Sequence, residues 1–295
     1  MYSYIKTILI LIFVLDFSLF LSSTTYSQNS NDLETSTATH PQVEIAGSEV
    51  IEFNSAITGE KYFIYVGLPR SYNDSDGTYP ALFIMDADGS FGTCTEISRL
   101  LFLGEEVPEI IIVGIAYGVS LKEYLFNRQR DYTPTAVEER AGSGGGEKFL
   151  RFIHDELIPF VETQYRVKKS EKAICGFSLG GLFVLYTLFH NPEMFNGYIA
   201  GSPSFYWDNE ILFKYEQKYF ERSLDLPVKL FMSAGSLENQ DGYIKPLNRF
   251  TQILNSRGYS GLELKSMVIE DETHYSSFGN AFTKGFKWLY TKDEK

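Results

Sequence analysis

Two hydrophobic rhythms run along this chain. Residues 49–53 and 61–68 alternate apolar with polar and are rich in β-branched and aromatic side chains, with Thr58-Gly59 between them. That pattern predicts an antiparallel hairpin. Further on, the apolar stretches become continuous: Ala81-Leu82-Phe83-Ile84-Met85, then 109–115, 173–175, 197–200, 228–234 and 262–269. Runs of this kind predict strands covered on both faces. Between them lie stretches of helical spacing. Residues 147–160 carry Phe149, Leu150, Ile153, Leu157 and Ile158, with Pro159 near the end, and 182–190, 211–220, 243–257 and 278–290 follow, Gly258 capping the fourth. Cys94 falls near the start of another helix. The stretches 71–78 and 128–134 read as polar loops, and 141–146 as a flexible glycine-rich loop. Strands alternating with helices predict an α/β domain: a mostly parallel, twisted sheet with helices on both faces. Ligands of such sheets bind outside the carboxyl ends of the strands.

The N-terminal pattern differs. Lys6 precedes an apolar run at 7–21, and small residues follow at Thr25 and Ser27. This reads as a signal peptide over 1–27, cleaved before Gln28, for a secreted or periplasmic protein. The run is shorter than the ~20 residues of a membrane span, so no stable membrane insertion is expected after cleavage; an uncleaved anchor is the alternative. Residues 28–42, rich in Ser, Thr and Asn, read as a disordered linker, and 43–295 as one catalytic domain.

Composition narrows the partners. A net charge of −12 argues against nucleic acid and anionic membrane surfaces. The glycine-rich 141–146 stretch lacks the Gly-Lys-Ser/Thr of a phosphate loop. The two cysteines, Cys94 and Cys175, read as free thiols, with a disulfide between them as the alternative in an oxidising compartment, and no Cys/His spacing suggests a metal. No cofactor is expected.

One stretch carries a chemical signal: Gly176-Phe177-Ser178-Leu179-Gly180, placed between an apolar strand and an apolar helix. G-x-S-x-G in that setting is the pattern of a nucleophile elbow, a sharp turn that exposes a serine Oγ beside a helix N-terminus. A serine needs a base. Of four histidines, His40 lies in the linker, His154 within the helix before the elbow, and His190 twelve residues along the helix from Ser178, about 18 Å away at helical rise. His274, in the loop after the last strand, is left as the base. The orienting acid belongs between the two in chain order, at a strand end; Glu238 is the first choice and Asp241 the alternative. Backbone N–H groups of Leu179 and of Asp88, or else Ala87, would face an oxyanion.

With these residues in place, the chain resembles an esterase family of α/β-hydrolases that includes siderophore (enterobactin) esterases, feruloyl and acetyl-xylan esterases, esterase D and the mycolyltransferases. The likeness runs from Val43 to Tyr290. It rests on Tyr79-Pro80 through Asp86, Arg130-Asp131-Tyr132-Thr133-Pro134, the glycine-rich run into Phe149-Leu150, the elbow through Gly181, Ser202-Pro203-Ser204 with Trp207, and Thr273-His274. It departs at Asp86-Ala87, where many members have Asp-Gly. The Ser-Pro-Ser segment is most similar to the secreted or periplasmic siderophore-esterase branch. The resemblance implies an α/β-hydrolase fold, Ser178 as nucleophile, His274 as base and Glu238 as acid.

The expectation is a serine esterase that forms an acyl-enzyme on a small-molecule or glycan-linked ester. Tyr206, Trp207 and Arg130 are candidates for contacting the substrate, with a structural cover and an Arg130–Asp131 ion pair as the plainer readings. An acyltransferase on the same site, or a silent binding module for a glycan or siderophore, are the alternatives. Oligomeric state is not readable.

Overall fold

The computed structural model describes residues 43–290. The expected signal peptide and linker therefore lie outside the described residues. From Ile45 the described residues form one compact unit. Among them no helix is long and apolar enough to cross a membrane.

Eight strands form one sheet in the order β1-β2-β4-β3-β5-β6-β7-β8. The hairpin β1 (Ser48–Asn54) and β2 (Lys61–Gly67) supplies the antiparallel edge, β2 pairing antiparallel with β4 (Ile111–Ala116). The rest is parallel: β3 (Tyr79–Ile84), β5 (Val167–Phe177), β6 (Gly197–Gly201), β7 (Lys229–Gly235) and β8 (Glu263–Ile269). The expected mostly parallel sheet is present.

The continuous apolar runs follow from two-sided burial. Ala81 and Phe83 point into one core layer, Leu82 and Ile84 into the other, and all four are essentially inaccessible. The smaller layer is closed by α1 (Ala87–Leu103) and α8 (Ser277–Tyr290), through Phe91, Phe282 and Phe286. The larger layer takes α2 (Leu121–Tyr132), α3 (Gly146–Arg151), α4 (Ile158–Gln164), α5 (Leu179–His190), α6 (Ile211–Arg222) and α7 (Lys245–Arg257). Phe149 and Phe183 meet there with ring centroids 5.0 Å apart. Burying each such ring contributes roughly 1.5–3 kcal/mol.

Several local readings need correction. Arg128 to Tyr132 are not loop but the last turn and a half of α2. That helix starts at a capping box, Ser120 with Glu123, and leaves Leu121, Leu125 and Phe126 exposed, so no buried stripe marks it. Cys94 lies in the middle of α1 rather than near its start. Pro159 does not end its helix. A π-helical turn, Phe152–Leu157, links α3 to α4, and Pro159 sits just beyond it in the first turn of α4, where the altered hydrogen-bond ladder accommodates its missing N–H. The glycine-rich stretch is pinned at its end: Gly144 N–H donates to Thr133 Oγ1, and Gly145 and Gly146 N–H donate to the carbonyls of Arg130 and Thr133.

Candidate active site

The elbow is built by main chain. β5 ends at Phe177, α5 begins at Leu179, and Ser178 between them has φ 59° and ψ −116°. A non-glycine residue there is strained, and such strain persists only where the surroundings enforce it. Here the enforcement is visible. Ser178 N–H donates to Gly201 O at 3.0 Å, and its carbonyl accepts from Leu182 and Ser204 N–H. The turn is so tight that a Cβ on Gly176 would lie 2.3 Å from Gly180 O. The N-terminus of α5, with its free N–H groups, opens beside Ser178.

The acid and the imidazole come from two other strand ends. Glu238 follows β7 and His274 follows β8. Glu238 Oε2 lies 2.8 Å from His274 Nδ1, and Oε1 accepts from Ser202 Oγ at 2.6 Å and Gly235 N–H at 2.7 Å. The Glu238 side chain is fully buried. Burial alone would raise its pKa; the hydrogen bonds from His274, Ser202 and Gly235 outweigh that and hold it below the usual carboxylate range. The two loops meet because Gly235 lets them: a Cβ there would stand 2.3 Å from Glu272 O. Leu237 N–H closes the contact by donating to that same carbonyl at 3.0 Å.

The His274 ring reaches the elbow. Its centroid is 5.0 Å from the ring of Phe177, the residue before Ser178, and 4.8 Å from that of Tyr243. Ser178 and His274 thus share one end of the sheet. Among the described residues no hydrogen bond joins Ser178 Oγ to His274; such bonds often tighten only with substrate bound. The other two histidines among the described residues are occupied elsewhere. His154 pairs with Asp155, and His190 stacks on Tyr186 while its Nδ1 meets Tyr186 O. Asp241, the alternative acid, forms an exposed ion pair with Lys245 at 2.7 Å.

Ala87 and Asp88 are not in a turn but open α1, and that junction with β3 is held from two sides. Asp86, in the left-handed conformation at φ 57°, caps α1. Its carboxylate takes a two-pronged contact from Arg128 at 2.8 and 2.9 Å and a hydrogen bond from Tyr124 at 2.8 Å. The Asp88 carboxylate accepts from the N–H groups of Tyr117 and Gly118 at the end of β4.

Of the expected substrate contacts, Tyr206 is 45% exposed and packs edge-on against Tyr243 at 5.9 Å. Trp207 is buried, and its indole N–H donates to Thr135 Oγ1. Arg130 is committed to Asp131 and Glu60, the plainer of the two readings. Sequence reasoning passed over Arg128, two residues earlier on the same helix, together with Gly235 and Tyr243, and read Ser202 as part of a pocket wall rather than as a donor to Glu238.

A profile of the family described as "Putative esterase" matches residues 55–229. The chain belongs to this esterase family. It is 35% identical to the ferri-bacillibactin esterase BesA of Bacillus subtilis over 209 residues, 66% of this chain and 72% of that protein. It is also 35% identical to the siderophore triacetylfusarinine C esterase of Aspergillus fumigatus over 190 residues, 61% and 65% of the two. Among solved structures, the BES protein from Bacillus cereus superposes with a TM-score of 0.78 at 25% identity, covering 86% of this chain and 99% of that one. The siderophore hydrolase EstB from Aspergillus nidulans gives 0.74 at 25% identity, with 87% and 99% covered. The architecture is that of the α/β-hydrolase esterases, and its chemistry is carboxylic ester hydrolysis.

Proposed function

We propose that this chain is a serine esterase that works through an acyl-enzyme. Ser178 Oγ attacks the ester carbonyl, and His274 takes its proton and returns it to the leaving alcohol. Glu238 orients the imidazole and stabilises the imidazolium. The N–H groups of Leu179 and Asp88 receive the oxyanion, and water then releases the acyl group. The observation that carries the reading is the Glu238–His274 hydrogen bond, which sets the imidazole against Phe177 beside a serine with φ 59°. A buried carboxylate accepting from a histidine N–H fixes which ring nitrogen is left to act as base.

The substrate we propose is a small-molecule or glycan-linked ester of the siderophore type, in keeping with what the relatives above are named for. Tyr206 would form one wall of its pocket. The N-terminal pattern supports a location outside the cytoplasm, secreted or periplasmic.

The test is hydrolysis of p-nitrophenyl butyrate by the wild type and Ser178→Ala. The variant should lose about 10⁶-fold in kcat, down to what binding and the oxyanion donors supply. Equal rates would overturn the proposal. A panel of a cyclic tri-serine siderophore, methyl ferulate and acetylated xylan then ranks the substrate classes by kcat/KM.

A further inference from the structure

Tyr243 packs against His274 and carries a polar atom that the mechanism leaves unused. It lies in a π-helical turn, Gln240–Ile244, that precedes α7, and its side chain is 6% exposed. Its ring packs on the His274 imidazole at 4.8 Å. Its hydroxyl lies beside the side chains of Ser178 and Tyr206, yet it is buried and completes a well-formed hydrogen bond with no protein atom. A buried hydroxyl without a partner is a standing cost to the fold. A phenylalanine would fill the same space without that cost.

We infer that the Tyr243 hydroxyl is a catalytic hydrogen-bond donor to the oxygen of the leaving alcohol. This rests on the reading of Ser178 as nucleophile. Once Oγ bonds the carbonyl carbon, every other substituent of that carbon lies two bonds from Oγ. A donor adjacent to Oγ therefore faces one of them. The oxyanion belongs on the side of the Leu179 and Asp88 amides. His274 must reach the leaving oxygen, and the Tyr243 ring packs against His274, so the two share the leaving-group side. When the C–O bond breaks, its electron pair passes to the leaving oxygen, which takes the proton that His274 removed from Ser178. Tyr243 keeps its own proton throughout and stabilises the charge building on that oxygen. Burial pushes the phenol pKa up, the nearby Tyr206 and Glu238 adding to it, so the group stays protonated, as a donor must.

The prediction is a dependence on the leaving group. In a series of butyrate esters running from ethanol through trifluoroethanol and phenol to p-nitrophenol, the acyl chemistry is constant and only the leaving oxygen changes. Tyr243→Phe should lower kcat/KM about 30- to 100-fold for the ethyl ester. The deficit should shrink along the series to a few-fold for p-nitrophenol, which needs little help to leave. The melting temperature should stay level or rise. A deficit of equal size across the series, or none on the ethyl ester, overturns the assignment. Ser178→Ala in the same series separates the two readings. If it keeps its activity, the nucleophile assignment fails. If it is inactive while Tyr243→Phe shows a flat deficit, only the role of Tyr243 fails.

Discussion

The two halves of the site are assembled over very different distances along the chain. At the elbow, the close approach is between Gly176 and Gly180, four residues apart, and the strain is stored in a single residue, Ser178. At the acid–base pair, the close approach is between Gly235 and Glu272, and each hydrogen bond to the Glu238 side chain from Ser202 or His274 spans 36 residues. The elbow is a single tight turn between β5 and α5, held at Ser178 by main-chain contacts to Gly201 and Ser204. The acid–base pair exists only when β6, β7 and β8 lie in register, since each supplies one partner from its carboxyl end. A local constraint resists small disturbances elsewhere; a distributed one registers them.

Three substitutions sharpen that contrast. The largest effect belongs to Gly176→Ala. A methyl group 2.3 Å from Gly180 O forces the start of α5 away from β5. The expected result is destabilisation of about 3 kcal/mol or more, read from the urea midpoint, with loss of fluorophosphonate labelling at Ser178. Normal labelling and an unshifted midpoint would mean that the elbow is looser than the contact implies.

Glu238→Gln comes next. Activity should fall about 10³- to 10⁴-fold while fluorophosphonate labelling slows rather than disappears, because the elbow is untouched. The same variant tests the pH dependence of stability. Glu238 has a folded-state pKa held below that of the unfolded chain. Its contribution is therefore fully present above about pH 4.3, the unfolded value, and is lost as pH falls through the folded value. The gap in urea midpoint between wild type and Glu238→Gln should be constant from pH 7 to 5 and close below about pH 4.

The smallest effect is that of Ser202→Ala. It removes one of three donors to Glu238 and leaves His274 and Gly235 in place. A loss of about 1–2 kcal/mol in stability and about tenfold in kcat is expected. If Ser202→Ala matched Glu238→Gln in activity, the carboxylate would owe its orientation to the serine rather than to the loop contact at Gly235.

Legibility in the sequence follows the same division. Ser178 and its glycines were readable because the close approach that demands glycine, Gly176 against Gly180, lies within one short motif. The buried strands were readable because burial on both faces leaves unbroken apolar runs. His274 could be reached by elimination among four histidines, and Glu238 by chain order. Ser202 and Gly235 could not be reached, because what each does depends on a partner more than thirty residues away. The helix α2 was missed for another reason: Leu121, Leu125 and Phe126 face outward, so the periodicity that marks a buried helix face is absent. The signal present was its start, Ser120 with Glu123 three residues later. Missing that helix also hid Arg128, whose guanidinium reaches back to Asp86 on the turn after β3.

Cys175 lies in the strand that leads to Ser178, and Cys94 in the helix packed against the same sheet; both are unpaired and buried. Burial pushes the Cys175 thiol up to about 12 and the Cys94 thiol well above its ordinary value. Oxidants and disulfide partners react with the thiolate, and the folded chain offers almost none. The core beneath the active centre is thereby insulated from the redox poise around it, and an oxidising medium leaves its packing as it is.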